Sequence, residues 1–463
     1  MKSDSDPWAP YVPTSADPWN LEKVAHLQRR AGFAANWSEL HRDLKAGPAK
    51  SIDRLLHPPP ASQKFQRVSD ALKNIIESSG SGFMSAESLS PLQSWWMFRM
   101  TFGSDPLGEK LTLFWHNHFA TSMSGVYNLK LMLDQNELFR KHARGKFGKL
   151  LQAIEADPAM LKWLDGGANH KEHPNENFAR ELLELFTLGE GNYSETDIRE
   201  AARGLTGWKP GRDTLLHETN EFFYDETLVD TGQKTFLGET GPWRREEIFR
   251  IILQQPQAAR YLCRRLYRWF VSESIIPDDT LIEPLAIQLR ASNYSIEHVV
   301  GIILRSQHFF SPAAYWQRVK SPVEFCVGTI RQLEPKRTPN LLPLAALNCD
   351  KQGQALFNPP SVKGWDGGTA WLTTNCTLTR INWTTELLNG SQSSGLKAYD
   401  PAHWLKEYSL KPTQAVESFS KLLLQNNLNP ESAALAQRLA DGDQQQFTAA
   451  LQVLLQTPEY QLA

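Results

Sequence analysis

Cysteine is scarce in this chain: four among 463 residues, at positions 263, 326, 349 and 376, with no two in a CxxC or CxxCH arrangement. That spacing excludes a thiolate zinc site and covalent haem attachment. The four are expected as reduced, mostly buried thiols, with Cys349 and Cys376 the pair that an oxidising compartment would join. Excess charge of either sign is also missing, because 49 Lys and Arg face 51 Asp and Glu for a formal net charge of -2. No global field therefore draws the chain to nucleic acid or to an anionic membrane surface. No run of 18 apolar residues is present, which excludes a membrane-spanning helix. The opening MKSDSDPWAPYVPTSADPWN has acids and prolines where an export signal needs an apolar stretch, so the expected location is the cytoplasm. GxSxG, GxGxxG after a strand, HExxH, GxxxxGK[ST] and the kinase signature set are all absent, which removes the common hydrolase, dinucleotide, zincin and phosphate-loop classes.

What is present is a long, aromatic-rich chain. Hydrophobic residues make up 41% and tryptophan numbers 15, enough for a sizeable core. Helical signals run through 21–32, 36–46, 51–56, 65–77, 90–102, 107–120, 128–142, 148–155 and 175–188. Ser194, with Asp197 three positions on, spells a capping box that opens a helix through 205. Helices resume at 244–254, 257–271, 281–291 and 296–305, and another starts at Ser321, with Pro322 at its first position and Glu324 closing the cap. The stretch 221–241 alternates weakly and carries a turn at 230–232, the pattern of strands. The expected fold is mostly α, a multi-helical globular bundle with one short β-hairpin near 221–241. An extended arm over 1–18 precedes a main helical domain over 19–390. After NGSQSSG at 389–395, a C-terminal helical segment over 391–463 is expected to pack on the main domain.

Polar residues gather in one region. On a helical wheel for 175–188, Asn177, Arg180, Glu181 and Glu184 fall within an arc of about 100°, while Phe178, Leu182, Leu185 and Phe186 take the other side. The preceding loop WLDGGANHKEHPNEN adds Asp165, His170 and His173, and offers Asn175 as an N-cap whose helix-start N–H groups suit an anion. In FWHNHFATS at 114–122, His118 shares a stripe with Leu107, Leu111 and Phe114 and points with the apolar side, whereas His116 points away. The letters HNH lack the ββα-metal context of the nuclease of that name. Arg260, Arg264, Arg265 and Arg268 form a basic stripe, expected to pair with acidic helices nearby. The segment 353–371, with two prolines, Trp365, Asp366 and paired glycines, reads as a rigid ordered loop packed over its surroundings.

These same segments carry a resemblance. PNENFARELLELFTLGEGNYSETDIREAARGLTGW at 174–208, read with FWHNHFATS, resembles the bacterial domain of unknown function 1800 family. The likeness begins near HLQRRAGF at 26–33, continues through KTFLG at 234–238 and KSPVE at 320–324, and ends in GQALFNPPSVKGWDGG at 353–368 and LLQTPEYQLA. It implies a shared helical fold and supplies no reaction. It also implies a partner, because members of that family are often encoded beside sulfatase-like proteins of the domain of unknown function 1501 family.

Two functional readings follow. In the first, the chain is a hydrolase or transferase acting through Glu181, Glu184, Arg180, His118 and Asp165, with Asn175, Asn177 and Trp365 binding substrate. Either a divalent metal ion sits on Glu181, Asp165 and His118 with Arg180 stabilising developing charge, or the carboxylates act without metal as an acid and base pair. In the second, the chain is a non-catalytic helical binding or assembly protein. The Glu, Arg and His network is then a structural lock, and the tryptophans recognise a partner.

Overall fold

Side-chain caps set the helix starts. Asn20 accepts from the Lys23 N–H at the head of Leu21–Ala31. Full capping boxes open Trp37–Ala46 (Asn36 with Glu39), Glu195–Gly204 (Ser194 with Asp197) and Pro322–Leu333 (Ser321 with Glu324). Each box satisfies two otherwise orphaned N–H groups, which is why the last two were legible as sequence triplets. The computed structural model describes residues 6–78, 89–213, 218–411, 414–425, 427–440 and 444–463. Among them are 23 α-helices and two small antiparallel sheets of two strands each.

The β structure is larger than one hairpin. Trp208–Arg212 pairs with Glu218–Tyr224, and Lys234–Phe236 pairs with Glu239–Gly241. The second pair turns through Leu237 and Gly238, both at positive φ (46° and 85°), the geometry that suits a tight hairpin turn. Expected strands at 221–241 therefore comprise the end of one hairpin and all of the other. The Trp208–Arg212 strand escaped because Pro210 and Gly211 interrupt its pattern. At 230–232 the Asp230 carboxylate accepts the Gly232 N–H, a local turn leading into the second hairpin rather than its tip.

The helix expected over 175–188 is α only from Asn177 to Glu181 and continues as a π-helix over Leu182–Thr187. Neighbouring groups compete for its carbonyls. Thr187 Oγ1 donates to Leu182 O at 2.5 Å, Tyr261 Oη to Leu185 O at 2.6 Å, and His118 Nε2 meets Phe186 O at 3.0 Å. A widened turn accommodates these partners.

Two apolar cores meet along two helices. Pro106–His118 sends Leu107, Leu111, Phe114 and Trp115 into the first core and Leu113 into the second; Leu21–Ala31 divides Leu27 and Ala31 from Val24 and Ala25 in the same way. Surrounded on both sides, Pro106–His118 buries 11 of its 13 residues, and Asn117 is one of the two that remain partly accessible. Trp19, Trp163 and Trp269 pack against both cores. The C-terminal helices share the second core with Ser90–Phe102 and Pro322–Leu333, and Arg29 and Gln332 both donate to Leu422 O. All four cysteines are free and buried.

One cap gives the fold a pH dependence. Asp157 heads the short helix Pro158–Trp163, its Oδ2 accepting from Met160 N at 2.9 Å and Gln135 Nε2 at 2.7 Å. Burial pushes this carboxyl up to about 7 from its ordinary 3.8, against the pull of the Met160 N–H. A folded-state pKa raised in this way adds stability that is complete below pH 3.8 and is lost as pH rises through 7. Asp157→Asn keeps a good cap without the charge. The variant should be more stable than wild type at pH 8 by on the order of 2 kcal/mol and nearly equal at pH 4, as read from urea melts at the two pH values. Equal stabilities at pH 8 would contradict the assignment.

Candidate functional site

The residues singled out on the 175–188 helix find mostly local partners. Asp165 is exposed, at φ 54°, and accepts from Asn177 Nδ2 at 3.1 Å. Arg180 forks onto Glu195 at 3.0 and 2.8 Å and reaches Glu176 at 3.1 Å, an ion cluster at the surface. Glu184 accepts from Tyr193 Oη at 3.0 Å. Glu181 is half-buried, and burial, then the neighbouring Glu184 charge, raise its carboxyl pKa. Asn175 starts the segment by accepting the Asn177 N–H. His173 is exposed, while His170 is partly buried and bridges to it across a tight turn. The side chain that organises this loop is Asn169, which went unnoticed in the sequence: it donates to Ala202 O, accepts from Asn175 N, and its carbonyl takes the Gly207 N–H.

His118 stands apart from these carboxylates. It is 2% exposed, ringed by Phe114, Trp115, Phe119 and Phe186. Burial and then Arg265 hold its pKa well below the ordinary value, so the ring is neutral and its Nε2–H serves Phe186 O. Among the described residues no group of three or more His, Cys, Asp or Glu side chains is placed to hold a metal ion. The expected set of Glu181, Asp165 and His118 is thus not gathered, because the buried histidine is committed to the π-helix while Asp165 faces solvent.

The His-Asn-His segment instead clamps two pieces of chain through three contacts. His116, expected to point away from the core, is 1% exposed, and its Nε2 accepts the Phe357 N–H at 3.0 Å. Burial lowers its pKa to about 3, which keeps the acceptor lone pair free. Asn117 Oδ1 accepts the Trp365 N–H at 2.7 Å. Gly364, at φ 81°, lies so close that an added Cβ would stand 2.3 Å from Asn117 Oδ1, so no other residue fits there. Two of the three clamps thus fasten the 353–371 segment across the seam.

Between that segment and Pro256–Phe270 lies a cavity of about 350 Å³, lined by Phe114, Trp269, Trp365 and Trp371 and by polar groups from four parts of the chain. Its basic residues are Arg265, Arg268, Arg318 and Lys363. The stripe expected to pair with acidic helices does so for Arg260 with Glu283, at 2.5 Å, and for Arg264 with Asp279. Arg265 and Arg268 lie on the cavity side and, among the described residues, have no carboxylate partner within 4.0 Å. Arg268 donates to Asp366 O at 2.6 Å, while Arg265 makes no hydrogen bond among the described residues. Burial lowers the Arg265 pKa, against the opposing effect of Tyr261 and with a smaller contribution from the Arg268 charge. Arg265 is partly buried and Arg268 exposed, and an arginine partly removed from water without a counterion favours an anion.

Behind the cavity runs a buried ion chain. Arg318 Nε and Nη2 donate to Glu273 Oε1 at 3.0 and 2.9 Å, and its Nη1 donates to Glu324 Oε1 at 3.0 Å. Glu324 also binds Lys110, which is fully buried, and its Oε2 closes the helix cap on Ser321 N. Trp269 lies within cation–π reach of both Lys110 (5.6 Å) and Arg318 (5.1 Å). Two glutamates are thus matched by Lys110 and Arg318, which leaves Arg265 and Arg268 as uncompensated charge at the cavity.

Comparison with known proteins adds a family and nothing closer. A family model described as "Protein of unknown function (DUF1800)" matches residues 26–462, nearly the whole chain. Neither the curated proteins nor the solved structures contain a match.

Proposed function

This chain belongs to the DUF1800 family, and from that premise and the cavity's charge we propose that it binds an anionic ligand in the cavity beside Pro256–Phe270. Arg265 carries the reading: a partly buried guanidinium, lining a cavity, with no carboxylate of the described residues within 4.0 Å to meet it. Arg268 stands one turn along the same helix, so the two present their donors to one region, as sulfate, phosphate and carboxylate groups require. A cavity of about 350 Å³ is of a size common for small-molecule sites. The tryptophan-lined wall and the clamped 353–371 segment make the site preorganised rather than formed on binding.

Titration with inorganic sulfate or phosphate at low ionic strength, followed by tryptophan fluorescence, tests the proposal. Saturable binding with a Kd of about 1 mM or tighter, weakening as salt rises, is the expected result. A flat response from the folded protein contradicts it.

A second reading keeps the enzyme expectation. Glu181 has a raised carboxyl pKa and, among the described residues, no hydrogen-bonding or ionic partner, and it lies one turn from Glu184. As an acid and base pair, the two carboxyls would serve a hydrolase or transferase without metal. Glu181→Gln should then abolish turnover of a phosphate- or sulfate-ester substrate with an unchanged melting temperature; full activity in the variant removes this reading.

A further inference from the structure

We infer that the anion taken by this cavity is a tetrahedral oxyanion, the group shared by sulfates, sulfonates and phosphates, rather than a carboxylate; this rests on the anion-binding reading and narrows it.

Two carboxamides on the cavity wall, Asn117 and Gln354, carry the narrowing. Gln354 is 3% exposed, and its Oε1 accepts the Val323 N–H at 2.9 Å, one of the otherwise orphaned donors at the start of Pro322–Leu333. Asn117 Oδ1 is occupied in the same way by the Trp365 N–H. A backbone N–H only donates, so neither amide can be turned over, and each directs its NH2 group away from that contact. Both amide nitrogens lack a hydrogen-bond partner among the described residues, yet neither is sealed inside the protein, unlike the indole nitrogens of Trp269 and Trp365. The guanidinium nitrogens of Arg265 are unpartnered and open in the same sense.

These donors come from facing elements. Arg265 and Arg268 belong to Pro256–Phe270. Asn117 belongs to Pro106–His118, whose Phe114 meets Trp269 edge-on at 5.6 Å, and Gln354 to the 353–371 segment. The carboxylates of the cavity lining are already engaged, Glu273 Oε1 by Arg318 and Asp366 by Lys363 at 3.1 Å on the rim. The ligand is therefore asked for acceptors in more than one direction. A carboxylate holds its two oxygens in one plane, where a single guanidinium fork engages both, and turns carbon toward everything else. A tetrahedral oxyanion sets oxygens around its centre and can meet the arginines and the amides together.

Titrating the full chain with methanesulfonate and with acetate at matched ionic strength, followed by tryptophan fluorescence, tests this. The two anions carry the same charge and the same methyl group and differ in the oxyanion. Methanesulfonate is expected to bind about tenfold or more tightly, although acetate is the stronger base and wins where charge alone decides. In Gln354→Glu an oxygen still accepts the Val323 N–H while an acceptor replaces the NH2 group, and the preference for methanesulfonate is expected to disappear. The wild-type comparison stands even if that variant fails to fold. Inorganic sulfate and phosphate, titrated alongside, show which oxyanion fits better. Acetate binding as well as or better than methanesulfonate overturns the tetrahedral assignment and leaves the anion site standing, as does an unchanged preference in folded Gln354→Glu. Absence of binding by all four anions overturns both.

Discussion

Arg265→Met is expected to weaken sulfate binding roughly 10- to 100-fold while leaving the protein as stable as wild type or more so. The two effects have one cause. In the free protein the guanidinium is partly buried, and burial, with a smaller contribution from Arg268, disfavours its charge. Its removal relieves that cost, and no hydrogen bond is lost because Arg265 makes none among the described residues. With anion bound, the same charge supplies the strongest contacts in the site, since charge-assisted hydrogen bonds exceed neutral ones. Arg265→Lys should fall between, keeping a charge but losing the planar fork. Arg264→Met, which removes only the surface pair with Asp279, should leave binding unchanged. The readouts are the sulfate Kd and the melting temperature of each variant. A large loss of stability in Arg265→Met would make Arg265 a structural residue and remove the main support for the site.

Glu324→Gln should cost about 3–5 kcal/mol of folding stability, the largest effect expected for a single substitution in the ion chain. Glu324 holds Lys110 and Arg318 and also closes the cap of Pro322–Leu333. Neutralising it leaves two buried cations short of a partner, and Lys110 has no other carboxylate among the described residues. Lys110→Met should cost less, because Glu324 keeps Arg318 and the Ser321 N–H. The double variant should recover part of the loss, and a denaturant cycle over the four proteins gives the coupling directly. Acid provides an independent check. Burial acts to raise the Glu324 carboxyl, but Arg318 and Lys110 outweigh it and hold the group well below the usual carboxylate range. A depressed folded-state pKa adds stability that is present above 4.5 and lost as pH falls through the folded value. Glu109, held down to about 2 by Arg140 and Arg99 against burial, adds to the same acid limb. Additive effects of Glu324→Gln and Lys110→Met would show that the chain is not a coupled unit.

Local rules made much of the fold legible. Ser194 with Asp197 and Ser321 with Glu324 stand at capping-box spacing, and that chemistry depends on a few consecutive residues. Trp208–Arg212 was hidden because Pro210 and Gly211 break strand periodicity, and only pairing with Glu218–Tyr224 restores it. The π-turn over Leu182–Thr187 was equally hidden, since its cause lies in His118 and Tyr261, distant in sequence.

The candidate site divides in the same way. Trp365 was readable from a proline- and glycine-bracketed loop. The arginine stripe was visible too, but which arginines find carboxylates depends on where Asp279–Ala291 packs, and it covers Arg260 and Arg264 while leaving Arg265 and Arg268 facing the cavity. A helical wheel separates those pairs only once the neighbouring elements are placed. His116 looked outward because one apolar side was assumed for Pro106–His118; a helix set between two cores has none to spare. Glu273 carried no signal, as a lone glutamate after a helix resembles a surface residue until Arg318 is seen beside it.

Growing crystals in selenate and locating selenium by its anomalous scattering tests the anion site most directly. A selenate ion within hydrogen-bonding distance of the Arg265 and Arg268 guanidinium groups is the result expected. Selenate bound elsewhere on the protein, with only water between those arginines, would contradict the central claim.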